Sequence, residues 1–70
     1  MLDKDFGIRL RTARENKNIT REEIATKLGI TVQSYANFEN GFRVPQVTRI
    51  PIIVKCLGIT SDYLLGVSDV

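Results

Sequence analysis

The stretch TREEIATKLGITVQSYANFENG, residues 20–41, predicts two short helices joined by a sharp turn. Thr20 followed by Glu23 forms a capping box, because each side chain can bond the backbone N–H of the other. Gly29 stands where the end of a helix favours a left-handed residue. After one further residue, Thr31 can cap the second helix. This pair of helices is therefore expected to organise the rest of the chain.

The second helix of the pair has a face without large apolar or charged groups. A step of about 100° per residue places Tyr35 and Phe38 together on the buried side. The opposite side carries Val32, Gln33, Ala36 and Asn37. Amide side chains can form paired bonds with the major-groove edge of adenine, and the valine and alanine methyls can contact a thymine methyl. These residues are predicted to read DNA bases, which makes the helix a recognition helix.

Nearly the whole chain, from about Phe6 to Gly66, resembles the phage-repressor family, also described as Cro/repressor or Xre-type. The helix-turn-helix signature of that family has the spacing of Ala25, Gly29, Ile30, Tyr35 and Phe38. Further matching segments follow in the family's order: FGIRLRTAREN, ITREEIATKLGI, FENGFRVP and KCLGITSDYLLG. The resemblance implies an all-α, compact five-helix fold like that of lambda repressor. It also implies one DNA-binding domain over residues 1–70, with the helix-turn-helix core at residues 20–41.

The resemblance further implies which residues hold the DNA backbone. Thr20, Arg21, Asn40 and Arg43 match phosphate-contacting positions of the family. Where the family commonly has glutamine, this chain has Arg21, which can hold a phosphate more strongly or extend into solvent. Asn40 can equally serve as a helix cap, and Arg43 can be a solvated loop charge.

Arg14 and Glu39 are predicted to form a bidentate ion pair. Each flanks the apolar stripe of its own helix, so packing the two stripes together brings the charges together. Both also match positions where the family holds a partly buried ion pair. Their role is expected to be structural, without direct contact to DNA.

Length and composition limit the possible functions. The chain has 70 residues, enough for one domain, and its formal charge of +2 permits nucleic-acid binding without requiring it. Its single cysteine excludes an internal disulfide framework, and the absence of histidine leaves zinc almost no ligands. We expect no catalysis and no cofactor, because no nucleophile–base set or phosphate-binding glycine loop is present. The sequence contains neither a membrane span nor a secretory signal, which favours a cytoplasmic protein.

The segment RIPIIVKCLG, residues 49–58, presents a difficulty for a helix, because Pro51 cannot sit in a helix interior without loss of a hydrogen bond. If Thr48 is the cap, Pro51 falls in the first turn, where no donor is lost. The helix is therefore expected to begin near Arg49 and to end at Leu57 or Gly58.

The end of the chain predicts the assembly. The apolar residues surplus to a five-helix monomer are Ile52, Leu65, Val67 and Val70. They cluster where members of the resembled family form twofold dimers, so a homodimer is predicted. Such a dimer would read an inverted repeat with half-sites ~34 Å apart. The sequence thus favours a sequence-specific, double-stranded DNA-binding transcriptional regulator, a repressor. The alternative is an antitoxin or protein-interaction module that uses the same fold.

Overall fold

The computed structural model describes residues 5–66, and these form five α-helices and one 3₁₀ turn. The helices are α1 (Phe6–Asn16), α2 (Arg21–Leu28), α3 (Val32–Glu39), α4 (Ile50–Leu57) and α5 (Ser61–Leu64), and the 3₁₀ turn (Val47–Arg49) leads into α4. The predicted all-α five-helix fold is confirmed. No helix within residues 5–66 combines the length and the apolar character needed to cross a membrane.

Local capping signals set the bounds of α2 and the start of α3. The Thr20 hydroxyl accepts a hydrogen bond from the Glu23 N–H at 3.1 Å, and the Glu23 carboxylate accepts one from the Thr20 N–H at 2.8 Å. Gly29 ends α2 in the left-handed conformation, with φ of 71°. Thr31 then caps α3 by accepting a bond from the Ser34 N–H at 3.0 Å. The predicted capping box and glycine turn are both present.

One hydrophobic core joins all five helices. Its buried side chains come from every helix: Phe6, Leu10, Ala13, Ile24, Ala25, Leu28, Tyr35, Phe38, Ile53, Leu57 and Leu64. The rings of Tyr35 and Phe38 meet edge to face, with centroids 6.1 Å apart and planes at 80°. This packing fixes the rotation of α3 and therefore determines which of its residues face solvent.

A close approach between α1 and α3 depends on Gly7. A Cβ added at this position would overlap the backbone carbonyl oxygen of Glu39 and lie 2.8 Å from its carbonyl carbon. Only a residue without a side chain lets α1 come this near to the last turn of α3. The approach brings Arg14 of α1 within reach of Glu39.

Helix α4 begins within one residue of its predicted start, but the predicted cap is absent. Residues 47–49 form the 3₁₀ turn, α4 begins at Ile50, and no side chain caps it, so Thr48 is not its cap. Pro51 nevertheless lies in the first turn, where its missing N–H has no intrahelical partner to lose. At the other end, Gly58 terminates α4 with φ of 67°.

Two arginine side chains tie distant helices together through backbone carbonyl groups. The Arg9 Nε–H donates to the Leu64 carbonyl at 3.0 Å, which links α1 to α5. The Arg49 Nη1–H donates to the Leu28 carbonyl at 2.6 Å, which links the approach to α4 with the end of α2. Leu28 is the last residue of α2, so this bond satisfies one carbonyl that a helix end leaves unpaired.

Candidate nucleic-acid interface

The solvent-facing side of α3 presents amide side chains. Gln33 is exposed and Asn37 is half-buried, and the Gln33 Nε2–H donates to Asn37 Oδ1 at 3.2 Å. This bond leaves Gln33 with a free carbonyl acceptor and Asn37 with free Nδ2 donors. Val32, in the first turn, is 39% exposed. The arrangement offers hydrogen-bond donors and acceptors together with an aliphatic contact at one helix surface.

Ala36, which is also predicted to read bases, does not share this exposed face. It is only 8% exposed, because it lies on the border of the stripe formed by Tyr35, Phe38 and Glu39. Its methyl group therefore has little surface to offer a base. Ser34, which the sequence reasoning missed, is exposed instead. If Glu39 is counted as buried together with Tyr35 and Phe38, the predicted exposed side of α3 rotates away from Ala36 and toward Ser34.

A groove runs beside α3 toward the loop that follows it. It is lined by Ile30, Ser34, Asn37, Phe38, Arg43, Val44, Gln46 and Arg49. The backbone N–H groups of Phe42 and Arg43 both donate to the Asn37 carbonyl, at 3.0 and 3.2 Å. These bonds fold the loop back against α3. The backbone of Arg43 is thereby held against α3, and Arg43 lines the same groove as Ser34 and Asn37.

Two other predicted phosphate-binding residues lie at helix ends. Thr20 caps α2 and is exposed; its hydroxyl oxygen accepts from Glu23, and its hydroxyl hydrogen can still donate to a ligand. Asn40 is the C-cap of α3, its side chain is exposed, and its N–H donates to the Ala36 carbonyl at 2.9 Å. Capping by the Asn40 backbone therefore leaves its side-chain amide available for a ligand.

Arg14 and Glu39 meet in the geometry that the sequence predicts. Arg14 Nε lies 2.6 Å from Glu39 Oε2, and Arg14 Nη2 lies 3.4 Å from Glu39 Oε1. The same guanidinium donates from Nη1 to the Ile19 carbonyl at 2.9 Å. The Glu39 side chain is only 1% exposed and that of Arg14 is 11% exposed. The pair therefore binds α1 to α3 and also holds the segment that enters α2.

Two further donors complete this site, and sequence reasoning missed both. The Tyr35 hydroxyl donates to Glu39 Oε2 at 2.6 Å, and Arg21 Nε donates to Glu39 Oε1 at 3.3 Å. We call Arg14, Arg21, Tyr35 and Glu39 the ionic cluster. The four-residue spacing of Tyr35 and Glu39 on one helix could have indicated the first contact. The second joins residues 18 apart on different helices, which no local pattern indicates.

Contacts within the ionic cluster shift the pKa values of Arg14, Tyr35 and Glu39. Burial raises the pKa of Glu39, but the hydrogen bonds from Arg14 and Tyr35 and the positive charges of Arg14 and Arg21 outweigh it, so the net pKa is lowered. The hydrogen bond to Glu39 raises the pKa of Arg14. Burial, reinforced by the bond to Glu39, raises the pKa of Tyr35. At neutral pH the cluster therefore contains one carboxylate and two guanidinium groups.

The predicted dimer residues have different surroundings. Ile52 is 44% exposed, whereas Leu65 is half-buried and packs against the core of its own chain. Val67 and Val70 lie outside the described residues. More apolar surface is exposed in the connection between α3 and α4, where Phe42, Val44 and Val47 are 77%, 59% and 84% exposed.

Comparison with known proteins identifies the class to which this fold and exposed helix belong. Residues 10–64 match the family described as Helix-turn-helix. The chain is 33% identical over 61 residues to the HTH-type transcriptional regulator YobD of Bacillus subtilis, covering 87% of this chain and 54% of YobD. It is 35% identical over 60 residues to YonR of the same organism, an SPbeta prophage-derived HTH-type transcriptional regulator, covering 86% of this chain and 56% of YonR.

A shorter relative matches along most of its length. The HTH-type transcriptional regulator YazB of Bacillus subtilis is 36% identical over 59 residues, which cover 84% of this chain and 86% of YazB. The chain spans only about half the length of YobD and YonR. The chain belongs to the helix-turn-helix family, which confirms the family resemblance drawn from the sequence.

Proposed function

We propose that the chain binds a specific double-stranded DNA sequence through the major groove and represses transcription from an overlapping promoter. The observation that carries this proposal is the composition of the α3 surface. It presents Gln33 and Asn37, while the one charged residue of α3, Glu39, is buried and Arg43 lies beside the same surface. A neutral amide face bordered by a cation suits a helix that reads bases between two phosphate backbones. DNA as the partner also fits action in the cytoplasm.

Gln33 and Asn37 would read bases, with Val32 and Ser34 at the edges of the contact. Gln33 can present a carbonyl acceptor and an N–H donor together, the pattern that complements N6 and N7 of adenine. Asn37 directs its carbonyl oxygen toward Gln33 and keeps its Nδ2 donors free. It is therefore suited to an acceptor such as guanine O6 or thymine O4 on a neighbouring base pair.

Thr20, Arg21, Asn40 and Arg43 would hold phosphates and so set the register of α3 in the groove. Such contacts carry no sequence information by themselves but supply much of the affinity, and those of the cations Arg21 and Arg43 make it depend on salt. We propose that two copies bind an inverted repeat with half-sites ~34 Å apart. The proposed contact between the copies is formed by Ile52, Leu65, Val67 and Val70. Of these, Ile52 is exposed and Leu65 packs beside the core of its own chain.

Two alanine variants test the division between base and phosphate contacts. Gln33→Ala should relax the preference at one base pair of the selected site, at ~1–3 kcal/mol, while affinity for unrelated duplexes is retained. Arg43→Ala should weaken binding to every duplex and reduce the salt slope by ~1. Competition binding against a set of single-base variants of the site measures both effects. Equal losses on all sequences for Gln33→Ala would refute the assignment of α3 as the reading helix.

A further inference from the structure

We propose that Glu39 is a positioning residue that orients Arg21 toward a DNA phosphate. The ionic cluster would then serve two purposes, holding three helices together and setting the affinity for DNA. This inference rests on the proposed DNA-binding function. It gives Glu39 a role in that function although Glu39 cannot itself reach DNA, because its side chain is only 1% exposed.

The guanidinium of Arg21 is held at one edge and open at the other. Its Nε donates to Glu39 Oε1 at 3.3 Å, while the side chain as a whole is 37% exposed. An arginine has five N–H donors in a rigid fork. Within residues 5–66, the hydrogen bonds of the Arg21 side chain are confined to this Nε contact. Both Nη groups therefore remain available for the oxygens of a phosphate, a geometry for which the fork is well suited.

Glu39 is a fixed anchor for this contact. Its carboxylate also accepts bonds from Arg14 on α1 and from Tyr35 on α3, each at 2.6 Å. A carboxylate bound this way cannot rotate to follow Arg21, so the arginine must adopt the orientation that the carboxylate allows. An arginine that is already oriented loses less side-chain freedom when it binds a phosphate.

The charge and place of the ionic cluster also favour an anion. The second guanidinium of the cluster, Arg14, is buried and also lies near Glu15, whose Oε2 is 4.0 Å from Arg14 Nη2, so Arg21 is the exposed cation of the cluster. Glu39 is the last residue of α3, so the bond places Arg21 at the carboxyl end of the recognition helix. The next residue is Asn40, whose exposed side chain is a separate candidate for phosphate contact.

Arginine-to-lysine substitution separates this role from a simple charge effect. Lysine keeps the charge, but its single ammonium group cannot bond Glu39 and also present a fork to a phosphate. Arg21→Lys should therefore weaken binding to the duplex that the unmodified protein selects by about tenfold. It should also reduce the magnitude of the slope of log K against log salt by ~1, although the net charge is unchanged.

Arg11 provides the matched control. Its Nε lies 3.2 Å from Glu15 Oε2 in an exposed pair on α1, with no buried anchor. Arg11→Lys should leave affinity within about twofold and the salt slope unchanged, since exposed pairs of this kind contribute little. Thermal melting of both variants checks that the fold is retained.

Glu39→Gln tests the anchor itself. It should weaken DNA binding, and adding Arg21→Lys in that background should cause little further loss. The inference would be overturned if Arg21→Lys binds DNA as tightly as the unmodified protein. It would also be overturned if the variant loses affinity while the salt slope stays unchanged. Fully additive effects in the double variant would also overturn it, and if Glu39→Gln fails to fold, the Arg21→Lys result decides. Failure of the unmodified protein to select any duplex would instead refute the proposed function.

Discussion

Replacing Arg14 with methionine should lower the free energy of unfolding by about 3 kcal/mol, even though the variant keeps a side chain of similar length. Arg14 donates to both oxygens of Glu39 and to the Ile19 carbonyl. The substitution removes these bonds and leaves a carboxylate that is almost fully enclosed. Loss of one partner of a buried pair typically costs ~3–5 kcal/mol, because the other charge stays buried.

The low end of that range applies because Glu39 keeps two donors. The Tyr35 hydroxyl remains at 2.6 Å and Arg21 Nε at 3.3 Å. A loss of about 3 kcal/mol is still large against the ~3–10 kcal/mol expected for a domain of this size. It corresponds to a fall in melting temperature of roughly 12–24 °C.

Urea unfolding followed by far-ultraviolet circular dichroism measures this loss. Arg11→Met is the matched control, because it removes an exposed pair on the same helix and should cost only ~0.5 kcal/mol. Adding Glu39→Met to Arg14→Met should cost less than Glu39→Met costs the unmodified protein, because the interaction between the two residues is already lost. A loss below about 1 kcal/mol for Arg14→Met, comparable to the control, would refute the view that the pair is a buried structural contact.

Two other predictions concern stability. Gly7→Ala should destabilise the protein by at least ~2 kcal/mol in the same urea assay, because the added Cβ would overlap the Glu39 carbonyl. This loss is expected even though alanine favours helices. An increase in stability would show that α1 and α3 do not approach closely. On acidification, the lowered pKa of Glu39 implies a stability contribution that is fully present above the unfolded value of about 4.3 and is lost as pH falls through the lower folded value. The unfolding free energy measured against pH should therefore fall less steeply in Glu39→Gln, and identical profiles would contradict the assignment.

The parts of the fold that the sequence predicted are those with local signals. Thr20, Glu23, Gly29 and Thr31 act within a few residues of themselves, so the bounds of α2 and the start of α3 follow from capping chemistry. The ion pair between Arg14 and Glu39 could also be predicted, because each residue flanks an apolar stripe. Here local pattern and tertiary packing agree.

The features that sequence reasoning missed depend on tertiary packing. The burial of Ala36 follows from the exact rotation of α3 against its neighbours, which a stripe of two aromatic residues does not determine closely enough. Arg21 meets Glu39 only because α2 and α3 pack side by side. The importance of Gly7 likewise becomes visible only when the last turn of α3 lies against it.

We propose that this helix-turn-helix domain reads a specific DNA sequence through α3. Selection of bound duplexes from a random pool, followed by affinity measurements across a salt series, tests it most directly. We expect enrichment of an inverted repeat, with an affinity that falls steeply and linearly on a log–log scale as salt displaces the phosphate contacts. Protein shown to be folded that enriches no sequence and shows no salt-dependent retention would contradict the claim and favour a protein-interaction module on the same fold.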